Sequence, residues 1–332
     1  MKQKRIQNIL LLFLSLFFLL TAVCFPGCSQ KGEPIRRQGF YFDTVIQITI
    51  YDSRNEELLE QCLMLAQKYE DMLSRTKENS DVWKLNHADG GYVRLQEDTL
   101  TLLRAALAYA ELTNGKVDPT IGSVNRLWNF TDPQAAVLPD SDALAQALTH
   151  VNYRLVTVEG NMAALNDPEA ELDLGFIAKG YIADRLKEYL VSKGVKSALI
   201  NLGGNVLAIG CKPDGSPFKV GVQKPFAPSG TTAYTLSLTG QSIVSSGNYE
   251  RFFEKDGRIF HHILDTATGY PVWNTLSEVT IVCDSSLEGD ALSTACFLLG
   301  EEEGMALVET LPGVEAAFLT SDGRILRSSG MP

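Results

Sequence analysis

Beyond Arg154 the chain breaks into short runs rich in β-branched and aromatic residues, bounded by Gly, Asn and Ser. "RLVTVEG", "AELDLG", "SALINLGGNVLAIG", "FKVGVQ", "AYTLSLTG", "SIVSSG", "RIFHHIL" and "SEVTIVC" read as strands, and "EAAFLTSDGRILRS" as a closing hairpin. Helical spacing returns at about Ala178 to Ser192, in "LEGDALSTACFLLG" (287 to 300) and in "EEEGMALVETL". No regular strand–helix–strand alternation links these pieces, so the predicted class is α+β, with a mixed or antiparallel sheet and packed helices.

The first half carries the other helices. "FYFDTVIQITIY" (40 to 51) reads as one strand; "EELLEQCLMLAQKYEDMLS" and "EDTLTLLRAALAYAELTNG" have apolar residues at helical spacing, and the second closes on Gly115. A loop follows, opening on Asp118-Pro119. No Pro/Ser-rich linker or repeat divides the chain, so residues 40 to 332 are expected to form one large domain.

The amino-terminal segment predicts an address. Lys2, Lys4 and Arg5 precede an apolar stretch from Ile9 to about Phe25, and "FPGC" then resembles a bacterial lipobox. Residues 1 to 27 are read as a signal peptide, Cys28 as the lipidated first residue and 28 to 39 as a tether; an uncleaved anchor is the alternative. Either reading places the rest outside the cytoplasm, on the outer face of the cytoplasmic membrane. The formal net charge of −11 becomes three units more negative once those three basic residues are removed, which argues against a nucleic-acid partner. A polyphosphate ligand would need a local cation. Cys62, Cys211, Cys283 and Cys296 show no C-x-x-C pairing, so zinc and redox motifs are absent; buried thiols and disulfides both stay open.

Several short stretches can carry chemistry. "GFIAKG" (175 to 180) lacks the residue order of a P-loop, yet a strand, a Gly and a helix start leave backbone N–H groups facing an anion, with Lys179 beside them. Gly203 and Gly204 inside a strand pattern suggest a bulge, a simple bend or a ligand pressed against the backbone. Of His261 and His262 only one can point inward, with Asp265 close in sequence as the carboxylate of a general-base arrangement; a solvated His is the alternative. Asp290 and Thr294 lie one helical turn apart and point the same way, a carboxylate and a hydroxyl that would suit Mg²⁺ against phosphate; a helix cap and a hydroxyl bonded to its own backbone are the plainer readings.

Taken in order, "VDPTIGSVNRLWNF", "LDLGFIAKGYIADRL", "INLGGNVLAIG", "SSGNYERFF", "HHILDTATGYPV" and "GDALSTACFLLG" resemble the ApbE family of FAD:protein FMN transferases, over residues from about 40 to about 330. The resemblance implies a T-fold-like α+β core and a Mg²⁺-dependent enzyme that cleaves FAD, passes FMN to a Thr hydroxyl of an acceptor redox protein and releases AMP. An FAD pyrophosphatase giving free FMN, or a flavin-binding lipoprotein without chemistry, are the alternatives. It further implies Asp290, Thr294 and the Ala178 carbonyl as metal ligands, and Asp173 and Lys179 as FAD contacts. Lys116, Val117 and Asp118 fall at the adenosine-side loop, and Gly203 and Gly204 at the cofactor. His262 becomes the favoured catalytic base, and Asp265 matches the acid of the family's "HIIDP" motif. Phe42 replaces the usual Met near the flavin and could still stack; Thr76 stands where an aromatic is common, and Thr266 replaces the Pro of "HIIDP".

Overall fold

A computed structural model describes residues 33–130, 132 and 136–331. The apolar segment 9–25 and Cys28 lie outside the described residues, among which no helix is long and apolar enough to cross a membrane.

The chain enters through a hairpin, β1 (Ile35–Tyr41) and β2 (Thr44–Ile50). Two expectations change here. Residues 35–39, read as tether, are strand, and the single strand expected over 40 to 51 is folded back at Phe42 and Asp43, with Tyr41 paired to Thr44. Both turn residues have positive φ, 53° and 55°, the geometry a two-residue hairpin turn requires. Glu70 helps to hold this conformation by accepting the Phe42 amide at 2.7 Å.

α1 (Glu57–Leu73) buries Leu58, Leu59, Cys62, Ala66, Tyr69 and Met72, a stripe at helical spacing. Short α2 (Asp81–Asn86) starts at Ser80, whose hydroxyl accepts the Trp83 amide at 2.9 Å. After β3 (Val93–Arg94), α3 (Glu97–Leu112) ends as the sequence indicates: Gly115 is left-handed and its amide returns to the Ala110 carbonyl at 2.7 Å. α4 (Gly122–Asn125) falls in the region read as loop, and α5 (Ser141–Leu148) follows where no element is expected. β4 (Val156–Glu159) and β5 (Met162–Leu165) follow. "AELDLG" forms no strand beyond an isolated bridge from Glu171 to Ile121, because Asp173 turns the chain by accepting the Gly175 amide at 2.8 Å.

From α6 (Ala178–Ser192) onward come β6 (Ala198–Leu202), β7 (Asn205–Ile209), β8 (Phe218–Gln223), β9 (Thr232–Leu238), β10 (Ser242–Gly247), β11 (Phe252–Lys255), β12 (Arg258–His261) and β13 (Leu276–Cys283). α7 (Ser286–Thr310), β14 (Glu315–Thr320) and β15 (Ile325–Arg327) complete the chain. α7 breaks at Gly300 (φ 83°), matching the two helical runs in the sequence. Eight strands form one sheet in the order β1-β2-β6-β7-β10-β13-β14-β15, with every neighbouring pair antiparallel. The expected α+β class, with an antiparallel sheet and packed helices, is what forms.

Burial explains the layering. Ile46, Ile48 and Ile50 on one face of β2 join α1 and α6 residues in the largest core cluster. Val279, Ile281 and Cys283 of β13 pack with Phe297 and Phe318 in a second cluster against α7. Each such large apolar side chain contributes roughly 1.5–3 kcal/mol on burial. Cys62, Cys283 and Cys296 are buried and unbridged, and desolvation pushes the Cys62 and Cys296 thiols up to about 12.

Candidate active site

Two contacts between α6 and α7 set the site. Asp184 of α6 caps the start of α7, accepting the amides of Ser286 and Leu287, both at 3.0 Å, and the Ser285 hydroxyl at 2.9 Å. One turn further on, Asp290 accepts the Gly180 amide at 2.9 Å, and Lys179 Nζ lies 3.7 Å from its other oxygen. Asp290 is thus buried at the amino-terminal end of α6, where backbone N–H groups favour negative charge. Desolvation raises its pKa, opposed chiefly by Lys179. Thr294 lies on the same wall, with Ser246 Oγ 3.3 Å from its hydroxyl.

These residues open into a cleft of about 1520 Å³. Of the residues expected in a site, Phe42, Thr76, Lys116, Val117, Asp118, Asp173, Ala178, Lys179, Gly203, His262, Asp290 and Thr294 all line it. Gly203 also belongs to the turn of the β6–β7 hairpin, where Leu202 pairs with Asn205 and both glycines have positive φ. Paired glycines therefore mark a hairpin turn, not a bulge or bend. Gly204 is outside the cleft wall and gives its amide to Asn201 at 3.0 Å.

Asp118 is committed to its own loop. Its oxygens accept the Thr120 amide (2.8 Å), the Thr120 hydroxyl (2.6 Å) and the Tyr153 amide (2.9 Å), while desolvation raises its pKa. It shapes the wall beside Lys116. Asp173 is shared between Asn125, which donates at 2.9 Å, and Arg75, with Nε at 3.4 Å.

The two histidines divide as strand geometry demands. His261 points into the core, its Nε2 3.0 Å from the Val272 carbonyl and its ring edge-on to Phe297. His262 faces the cleft, and its Nδ1 is buried with no hydrogen-bond partner, an atom left for a ligand. Its pKa falls to about 3, first through desolvation and then through Arg251, His261 and Lys179. The expected pairing with Asp265 does not form. Asp265 is absent from the cleft wall; its carboxylate accepts the Ala267 amide at 2.7 Å and its carbonyl accepts from Thr268 and Gly269, so it closes a turn instead. His262 is neighboured by cations, not by that carboxylate.

His261 yields a pH prediction. Desolvation lowers its pKa to about 4, below the roughly 6.5 of an unfolded His, so the folded state resists protonating it. Its stabilisation is complete above pH 6.5 and is lost as pH falls toward 4. Between pH 7 and pH 5 this group should cost about 1–2 kcal/mol of stability. Urea unfolding of wild type and His261→Phe at both pH values checks it: the variant should show a smaller fall, and an identical fall would assign the acid sensitivity elsewhere.

Sequence reasoning gave no role to Arg75, Lys77, Asn125, Glu250 or Arg251, all in the cleft wall, nor to the aromatic wall of Trp128, Phe130 and Phe253. Arg75, Lys77, Lys116, Lys179 and Arg251 supply the local cations that an acidic chain needs to hold a polyphosphate. Glu250 is open to the solvent of the cleft yet surrounded by its walls. Its carboxyl is pushed up to about 7 by desolvation first, then by Glu278 and Asp290, against the pull of Lys179 and Arg251. For Glu250 and Arg251 the signal lay in "SSGNYERFF", two opposite charges between strand-like runs, and Asn125, Trp128 and Phe130 lay within "VDPTIGSVNRLWNF".

The family model for the ApbE family matches residues 42–318. An FAD:protein FMN transferase of Treponema pallidum (strain Nichols) is 36% identical, covering 94% of this chain and 92% of the relative. One from Klebsiella pneumoniae (strain 342) is 38% identical, covering 83% and 86%. Among solved structures, the ApbE protein from Thermotoga maritima superposes with a TM-score of 0.82 at 32% identity, covering 90% of this chain and 97% of that one. The flavin transferase ApbE from Vibrio cholerae gives 0.78 at 26% identity, covering 90% and 97%. With the cleft, the α6–α7 junction and these matches across nearly the whole described chain, this protein belongs to the ApbE family.

Proposed function

We propose that this protein is an FAD:protein FMN transferase that moves FMN from FAD to a Thr hydroxyl of an acceptor redox protein and releases AMP. The observation that carries the reading is the convergence of Lys179, Asp290 and Thr294 at the start of α6, inside a cleft lined by five cationic side chains. Relatives bearing that name span nearly the full chain.

In the reaction a bond forms between the acceptor oxygen and the FMN phosphorus, and the bond from that phosphorus to the oxygen of AMP breaks. Lys179 and Arg251, both in the cleft wall, face the charge that builds on the pyrophosphate. His262 is neutral at pH 7 and can take the hydroxyl proton. Bound phosphate would offset its cationic neighbours and raise its basicity.

The Asp290 carboxylate, the Thr294 hydroxyl and the Ala178 carbonyl, whose residues all line the cleft, would hold Mg²⁺ through oxygen, the donor type that ion takes. Among the described residues no group of three His, Cys, Asp or Glu is placed to hold a metal. When bound, Mg²⁺ neutralises charge on the phosphate oxygens. The basic start, apolar run and Cys28 support export and lipid anchoring at the outer face of the cytoplasmic membrane.

Intact mass of an acceptor domain bearing a target Thr, incubated with FAD, Mg²⁺ and residues 29 to 332, tests the reading. A gain of one FMN, abolished by EDTA, is the expected result. FMN and AMP in solution without that gain mean hydrolysis, and tight FAD binding without turnover means a carrier.

A further inference from the structure

Glu278 is among the buried carboxylates that the proposed chemistry does not use. Glu278 of β13 is completely buried, and its pKa is raised by desolvation. Burying a carboxylate costs several kcal/mol unless its oxygens are satisfied, and an apolar residue at such a position is often as stable or more so. Here both oxygens are satisfied by hydroxyls: Tyr249 donates to Oε2 at 2.6 Å and Thr280 to Oε1 at 2.9 Å. Thr280 Oγ1 is in turn 2.9 Å from Ser245 Oγ and accepts from Tyr234 at 2.9 Å.

The backbone is built to permit the Tyr249 contact. Gly247 pairs with Glu278 across the β10–β13 ladder, and a Cβ there would meet the Tyr249 ring, with Cδ1 at 2.9 Å, and the Ser277 carbonyl oxygen at 3.0 Å. The ring therefore lies back across Gly247 to reach Glu278. Phe226 packs edge-on to it, centroids 6.1 Å apart. The next two residues after Tyr249 are Glu250 and Arg251, which enter the cleft beside Lys179 and His262.

We propose that Tyr249 and Glu278 are positioning residues: their hydrogen bond, made on the sheet, fixes the turn that presents Glu250 and Arg251 to the substrate. The catalytic half of this inference rests on the transferase reading; the structural half does not. Arg251 sits where a cation stabilises the pyrophosphate, so a loosened turn lowers turnover more than it lowers FAD affinity.

The test uses three single variants of the full chain. Glu278→Gln keeps an oxygen that can accept from Tyr249, whereas Tyr249→Phe and Glu278→Leu remove the bond. Hydrogen–deuterium exchange read by mass spectrometry should rise in the peptide covering 248–254 for Tyr249→Phe and Glu278→Leu, and stay at the wild-type level for Glu278→Gln. FMN transfer should show kcat lowered about tenfold in the first two with KM for FAD changed less than about threefold, and kcat within about twofold of wild type in Glu278→Gln. Unchanged exchange at 248–254 overturns the proposal, as does a Glu278→Gln that behaves like Glu278→Leu. Exchange that rises there while kcat holds overturns its catalytic half. Wild type that transfers no FMN defeats the transferase reading instead, and the exchange result still decides the positioning role.

Discussion

Asp290→Asn lowers FMN transfer by about 10²–10³-fold, the scale of losing one preorganised group that stabilises transition-state charge. The substitution is chosen to separate chemistry from packing. An amide oxygen still accepts from the Gly180 amide, now 2.9 Å from Asp290 Oδ2, so the α6–α7 contact persists. The charge next to Lys179 and the substrate is what disappears. Because desolvation raises the Asp290 pKa above its unfolded value, the ionised carboxylate is a burden on the folded state at neutral pH. Stability should therefore stay within about 1 kcal/mol of wild type, and a gain would be consistent. Acceptor mass and a urea unfolding curve on the same preparation check both halves. Parallel loss of stability and activity would make Asp290 a packing residue, which is the plainer role its place near a helix start allows.

The second large effect runs against helix propensity. Gly180 lies in the first turn of α6, where replacing Gly with Ala ordinarily stabilises a helix by roughly 0.8–1 kcal/mol. At this position a Cβ would collide with the carbonyl oxygen of Ser286, and would stand 2.6 Å from that carbonyl carbon and 2.7 Å from Asp290 Cβ. Two of these are backbone atoms that no rotamer change can move aside. Gly180→Ala should cost about 1–3 kcal/mol by overpacking. It should also reduce transfer strongly, because α7 can relieve the clash only by carrying Asp290 and Thr294 away from Lys179. Urea unfolding decides the sign: a variant as stable as wild type, or more so, would show that α6 and α7 do not need this close approach.

Much of this architecture was legible in the residues. The stripe Leu58, Cys62, Ala66, Tyr69 fixed α1, and Gly115 marked the end of α3, because amphipathic period and left-handed caps are local properties. The hairpin at Phe42–Asp43 was not legible, since a Phe with positive φ is chosen by its surroundings, including the Glu70 carboxylate, and not by its own preference. Asp265 misled for the opposite reason. Nearness in sequence to His262 suggested a pair, yet local turn bonds claimed the carboxylate first.

By itself the sequence determined the chemical inventory: a helix start with Lys179, an acid and hydroxyl one turn apart at Asp290 and Thr294, a histidine pair of which one member points inward, and the ordered motifs that mark the family. Such features are set by neighbours within a few residues. Tertiary structure alone decided which of them meet. Gly180 and Asp290 are 110 residues apart, and Glu250 and Arg251 take their place through a bond from Tyr249 to a strand 29 residues away. Those juxtapositions follow from which helix can approach which, and from the sheet register that aligns Gly247 with Glu278, neither of which any local window of sequence contains.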